Sequence, residues 1–292
     1  MTLDFTLIAD TKCRLGESPL YDERSNRIYF VDILGREVLG LDIATGERGS
    51  WKFESEVGSI GLAVSGRMVV ALRHSVILFD LATGARHELC QIEPDMPTRL
   101  NDGRVGPDGA FWVGSMDDRK DKEPIGALYR IDASGKAEPK VEGLLVSNGL
   151  AWTADGDRMF HADSRGPWID RWGFDRQTGW IWDRHRFAVL DEAAGRPDGG
   201  SCDAEGFYWS AGVSAGKLNR FGPDGRIVES YDVPVPAPTM PVFGGADFRT
   251  LYLTSLREGR SDEVLAKAPW TGGLIGAQAK VSGFPAWRFL DV

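Results

Sequence analysis

The chain has 292 residues, 42% of them apolar and 26% charged, enough to bury a large core and unlike a disordered or collagen-like chain. Forty-three acidic against 34 basic side chains leave a formal charge of −9. That balance argues against a nucleic-acid binder or an anionic-membrane binder, since both need a basic face.

The opening MTLDFTLIADTK has neither the basic start nor the unbroken apolar stretch of a signal peptide. Its run Phe5 to Ile8 reads as a spare strand. From Ser18 onward the chain repeats itself. SPLYDERSNRIYFVDI, GLAVSGRMVVAL, DGRVGPDGAFWVGSM, GLAWTADGDRMFHADS, GGSCDAEGFYWSAG and GADFRTLYLTSL begin 41 to 50 residues apart. Each is a short apolar or small stretch, a polar turn such as Pro107-Asp108-Gly109, and a run rich in aromatic and β-branched residues. A third strand follows in VLGLDIATGE, VILFDLATGA, ALYRIDASGK, IDRWGFDRQTG and LNRFGPDGR, and a fourth in GSWKF and IVESYDV. One short helix is expected around Glu263 to Lys267. Six units of four antiparallel strands predict an all-β fold, a six-bladed β-propeller over residues 1–292 as a single domain, with the N-terminal strand completing the last blade. A two-sheet sandwich does not account for the period.

The repeat also locates a candidate site. The residues just before the six opening stretches are Glu17, Ile60, Asn101, Asn148, Asp198 and Gly244, and in equivalent blades they share one position at the channel mouth. Four of the six carry side-chain oxygens. Converging carboxylates repel and resist burial unless a cation or proton compensates. Glu17 and Asp198, with the amide oxygen of Asn148, make a donor set for a hard divalent ion such as Ca²⁺, Mg²⁺ or Mn²⁺, with Zn²⁺ or Fe²⁺ also compatible. Turn-forming Asn and Asp bonded to local backbone are the competing explanation.

LGESPLYD, RLNDGRVGPDGAFWVGSMDD, VSNGLAWTADGDRMFHADS, PDGGSCDAEGFYW and PVFGGADFRTLYLTS together resemble the senescence-marker-protein (regucalcin)/gluconolactonase family across nearly the whole chain. The resemblance implies one divalent metal in the central channel and hydrolysis of a sugar lactone. It carries the family's metal ligands onto Glu17, Asn148 and Asp198, and its substrate-binding residues onto Arg99 and Asn101. An acidic family position after the G-T-M motif falls here on Arg119, with Asp118 the nearest acid and the candidate substrate contact. Asp198 is then expected to be ligand and general base together. The implied partner is a small sugar lactone, with no nucleic acid and no membrane.

Other signals are weaker. Gly212-Val213-Ser214-Ala215-Gly216 matches the G-x-S-x-G elbow, but the following KLNRFGPDG reads as strand and turn instead of the required helix. His161, beside Asp163, is expected to be structural or channel-lining, Asp163 is a lesser channel candidate, and His74 ends a run near the mouth. The segment Asp117 to Glu123 is a charged loop placed to rim the site as a lid. The competing functions are a phosphotriesterase- or arylesterase-like propeller hydrolase and a calcium-binding regulatory propeller without turnover. Cys13, Cys90 and Cys202 are scattered and form no CxxC pair, which fits a reducing, cytoplasmic setting.

Overall fold

In the computed structural model, which describes residues 2–292, six four-stranded antiparallel sheets follow one another around a ring. Blade one is Gly16–Asp22, Arg27–Asp32, Glu37–Asp42 and Arg48–Lys52. Blade two is Val57–Leu62, Met68–Leu72, Ser75–Phe79 and Arg86–Gln91. Blade three is Thr98–Val105, Phe111–Asp117, Gly126–Ile131 and Ala137–Leu144. Blade four is Ser147–Trp152, Arg158–Asp163, Trp168–Phe174 and Ile181–Val189. Blade five is Pro197–Cys202, Tyr208–Gly212, Lys217–Phe221 and Ile227–Asp232. Blade six is Pro238–Gly244, Thr250–Ser255 and Leu274–Gln278, and Thr6–Ala9 supplies its outermost strand. Thr6 stands opposite Gly276 and Leu7 opposite Ile275, so the two ends of the chain close the ring. The helix runs over Asp262–Lys267, capped by Ser261.

Local chemistry sets the hairpins. In the repeated Asp-x-x-Thr-Gly turns, Asp42 Oδ1 accepts from the amides of Ala44 and Thr45, and Asp80 Oδ1 accepts from those of Ala82 and Thr83. Gly46 and Gly84 follow at φ +75°, where a side chain would be strained. Between blades, apolar clusters form the core. Val31, Val38 and Phe53 pack on Ile60, Val70 and Phe79, and Trp112 meets Trp152 and Phe174 edge-on at centroid distances of 5.9 and 5.5 Å. The innermost strands of blades one and six are buried throughout, whereas the outer strand Arg48–Lys52 alternates between open and covered. Side chains facing the channel are therefore held by a rigid inner wall.

Register fixes which residues are equivalent. Tyr21 opposite Ile28, Leu62 opposite Met68, Val105 opposite Phe111, Trp152 opposite Met159, Cys202 opposite Tyr208 and Phe243 opposite Leu251 mark one level of the ring. Counting back from that level gives Glu17, Gly58, Asn101, Asn148, Asp198 and Thr239. Blades two and six correct the sequence expectation: the equivalents are Gly58 and Thr239, not Ile60 and Gly244. Gly61 lies inside its strand instead of opening it, and Gly245 belongs to the hairpin turn that follows, with Phe248 N bonded to its carbonyl. Any side chain at 58 would collide, since a Cβ there would come within 2.7 Å of the Leu100 carbonyl. Thr239 turns its hydroxyl to Gly16 O and Thr254 Oγ1.

Closure by the N-terminal strand is a stability device. Phe5 and Leu7 pack on Val235, Leu253 and Ile275. Deleting residues 2–9 should lower the melting temperature by roughly 5–10 °C, as expected for losing a few kcal/mol in a protein of this size. A calorimetric scan unchanged from the full chain would show that the ring does not depend on this strand.

Candidate active site at the channel mouth

Each polar position is followed by a break in register: between Glu17 and Leu20, between Leu100 and Gly103, between Asn148 and Ala151, and between Pro197 and Gly200. Such bulges bend a strand and re-aim its side chains. Ser18 takes φ +48° and Gly149 φ +65° at these bends. A Cβ at Gly149 would stand 2.5 Å from the Tyr208 hydroxyl. That hydroxyl donates to Gly149 O at 2.7 Å, so the bend is clamped from the next blade.

Glu17, Arg99, Asn101, Asn148 and Asp198 line one open cavity of about 670 Å³. Hydrogen bonds join four of them in a line. Arg99 Nη1 donates to Asn101 Oδ1 at 2.8 Å, and Asn101 Nδ2 donates to Asn148 Oδ1 at 3.2 Å. Asn148 Nδ2 donates to Asp198 Oδ1 at 2.7 Å and to Ser164 Oγ at 2.8 Å. Glu17 accepts from the Ser18 amide through Oε2 at 2.9 Å.

The electrostatics are strained. Burial pushes the Glu17 carboxyl well above the usual range, and the charges of Asp198 and Asp102 add to it. Asp198 is pushed up to about 8, first by burial and then by Asp102, against the pull of Arg196 and Arg99. Asp102 accepts from Leu150 N at 2.9 Å through Oδ2, and its buried Oδ1 has no partner. Among the described residues no three His, Cys, Asp or Glu side chains gather as a metal-holding group. The donor set at the mouth is instead two carboxylates and an amide. It fits a hard divalent cation, because two carboxylates that resist joint ionisation, Glu17 buried and Asp198 half-buried, are what a double positive charge relieves. A half-turn of the Asn148 amide would present its oxygen beside Asp198, over a broad two-fold torsion.

The remaining predicted residues fall into place around this line. Asp118 does not line the cavity; it pairs with Arg73 at 2.7 Å and faces Arg99 Nε at 3.6 Å. Arg119 folds back on Asp117 and Glu123, so the segment from Asp117 to Glu123 is stapled at its base. Asp163 spends both oxygens on the amides of Leu145, Val146, Arg165 and Gly166. His161 is fully buried, its Nε2 2.8 Å from Ser147 Oγ, and burial pushes it down to about 3. His74 Nδ1 lies 3.3 Å from Ile92 O, and Ser214 Oγ accepts from Arg196 N in a strand-to-strand turn. Lys122 of the loop expected to rim the site lines the cavity, and sequence reasoning missed Ser164, Arg165 and Arg196, which line it too. Arg196 is two residues before Asp198, and Ser164-Arg165 directly follow the second strand of blade four. Their position at strand ends on one face was the available signal.

A second cavity is lined by Tyr21, Trp152, Cys202 and Phe243, by Arg104 and Ser201, and by Phe284, Ala286 and Trp287 of the C-terminal tail.

A family model described as the SMP-30/gluconolactonase/LRE-like region matches residues 15–257, a span holding every residue of the polar line. The chain belongs to this family. Among SMP-30/gluconolactonase-like proteins it is 37% identical to 6-deoxy-6-sulfogluconolactonase of Pseudomonas putida, over 92% of each chain. It is 31% identical to L-arabinolactonase of Azospirillum brasilense, over 97% of this chain and 95% of the other. The crystal structure of a calcium-binding regucalcin from Agrobacterium tumefaciens superposes with a TM-score of 0.93 at 27% identity, over 99% of this chain and 98% of that one. No helix among the described residues is long and apolar enough to cross a membrane.

The raised Asp198 carboxyl has a consequence for stability. A carboxyl raised in the folded state binds its proton there while the unfolded chain has lost it, so stability falls as pH climbs from about 4 towards about 8. In chelator at pH 8, Asp198→Asn should therefore melt above the wild type. Added Ca²⁺ or Mn²⁺ should raise the wild type more than the variant. A thermal-shift series with the order reversed would show that Asp198 is not under this strain.

Proposed function

We propose that the protein hydrolyses a sugar lactone to the aldonic acid, with a divalent ion held by Glu17, Asn148 and Asp198. The observation that carries this reading is the convergence of a buried and a half-buried carboxylate, mutually repelling, and an amide on one open cavity in a fold whose relatives include lactonases by name. A bound divalent cation would supply Lewis acidity to the lactone carbonyl and lower the pKa of water. It would also hold Asp198 ionised at neutral pH.

The chain's own residues do the rest. Ionised Asp198 takes a proton from the attacking water, whose oxygen bonds to the carbonyl carbon. The bond between that carbon and the ring oxygen then breaks, and Asp198 returns the proton to the departing alkoxide. Asn148 would serve as a neutral ligand in place of its 2.7 Å hydrogen bond to Asp198. Arg99, locked to Asn101 at 2.8 Å, offers directed donors to the sugar hydroxyls and ring oxygen, and the Asn101 carbonyl oxygen offers an acceptor, its two N–H groups being spent on Ser147 O and Asn148 Oδ1. Asp118 acts indirectly by holding Arg99 in place. The regucalcin described as calcium-binding favours a second reading, ion binding without turnover.

A pH-stat assay over a panel of aldonolactones, with Ca²⁺, Mg²⁺, Mn²⁺, Zn²⁺ and Fe²⁺ in turn, separates the two. Turnover that needs added ion after chelation supports hydrolysis, and binding of ion with no lactone consumed supports the second reading. Asp198→Asn should cut kcat by about 10²- to 10⁴-fold, the usual contribution of a general base. Near-wild-type turnover in that variant would refute the assignment. Glu17→Gln should act mainly on the ion, shifting the activity-against-metal titration to at least about tenfold higher concentration.

A further inference from the structure

The cavity is divided by charge. Its floor carries Glu17 and Asp198, yet its rim carries Lys122, Arg165 and Arg196, in a protein whose formal charge is −9. These three cations come from separate loops, after the second strands of blades three and four and before the first strand of blade five. Lys122 is held in place by the Asp117 and Arg119 carbonyls. Its ammonium is disfavoured first by burial and then by the charge of Arg99, with Arg165 adding to it. Asp118 and Asp117 pull the other way, but Asp118 is already paired with Arg73 and Arg99, and Asp117 with Arg119. Arg165 and Arg196 are exposed, and among the described residues neither side chain has a hydrogen bond or ion pair.

Three cations gathered at one rim, two of them arginines with no ion-pair partner among the described residues, repel one another, and an anion relieves them. We infer that the lactone taken by this cavity carries an anionic group, a carboxylate, sulfonate or phosphate, at the end remote from its carbonyl, received by Lys122, Arg165 and Arg196. The neutral reacting end then meets the acidic floor, and the charged end stays away from it. This inference rests on the lactonase reading and specifies its substrate class.

The test compares kcat/KM for a neutral hexonolactone with that of the same lactone bearing a terminal carboxylate, sulfonate or phosphate, at constant ionic strength. One or more anionic forms should be preferred by about 10- to 100-fold, the span of a charge-assisted hydrogen bond. The preference should shrink as salt is added. Arg165→Gln with Arg196→Gln should bring the ratio towards one, and general damage to the fold would leave that ratio in place. The three anions separate a planar, a tetrahedral singly charged and a tetrahedral doubly charged group. Equal rates, or a preference for the neutral lactone, would overturn the inference and leave the lactonase reading standing. If no lactone is consumed, the lactonase reading fails and the rim is judged by calorimetry with gluconate and its 6-sulfo analogue. At least about tenfold tighter binding of the sulfonate, lost in the double variant, supports anion recognition, and equal binding refutes it.

Discussion

Glu17 and Asp198 are brought, by strands from different blades, into a place where neither ionises readily beside the other. Burial alone lifts both carboxyls, and Asp102 below them adds a third negative charge with an unpartnered oxygen. A protein optimised for stability alone would place apolar side chains here. The strain is tolerated because the surrounding wall is over-determined. Inner strands are buried, their bulges are clamped by contacts such as Tyr208 to Gly149, and apolar clusters fill the gaps between blades.

The amide line from Arg99 through Asn101 and Asn148 to Asp198 links that strained floor to the mouth. Each member is fixed by a neighbour: Asn101 also donates to Ser147 O at 2.9 Å, and Ser164, which takes one hydrogen bond of Asn148, donates to Pro197 O at 2.5 Å. Three adjacent blades are thereby tied at the level where chemistry would occur. A site assembled this way has little freedom to adjust, which suits preorganised catalysis better than adaptable binding.

The mouth is organised differently from the floor. Its charged groups come from loops, where length and sequence vary without disturbing the sheets. The segment from Asp117 to Glu123 shows how a loop keeps a fixed shape: the Asp117 carboxylate accepts from the Arg119 side chain and the Glu123 amide, and Lys122 is left facing the cavity. One scaffold can thus keep a constant reacting centre while its rim selects among substrates.

The period, the hairpin turns, the closing strand and the polar character of Glu17, Asn101, Asn148 and Asp198 were all legible from the amino-acid sequence. They depend on local patterns: alternation along a strand, glycine at positive φ, and Asp accepting from amides two and three residues on. The equivalence of Gly58 and Thr239 was not legible, because it is set by which residues pair across each hairpin and not by where an apolar stretch begins. The sequence ranked Asp163 behind Asp198 without a physical reason, which the structure supplies: Asp163 serves its own turn, whereas Asp198 lines the cavity. Lys122, Arg165 and Arg196 lie far apart in a chain of net negative charge, and only closure of the ring gathers them. Local sequence fixes which residues stand at a strand end, whereas the direction in which they point, and what they meet there, depends on bulges and on neighbouring blades tens of residues away.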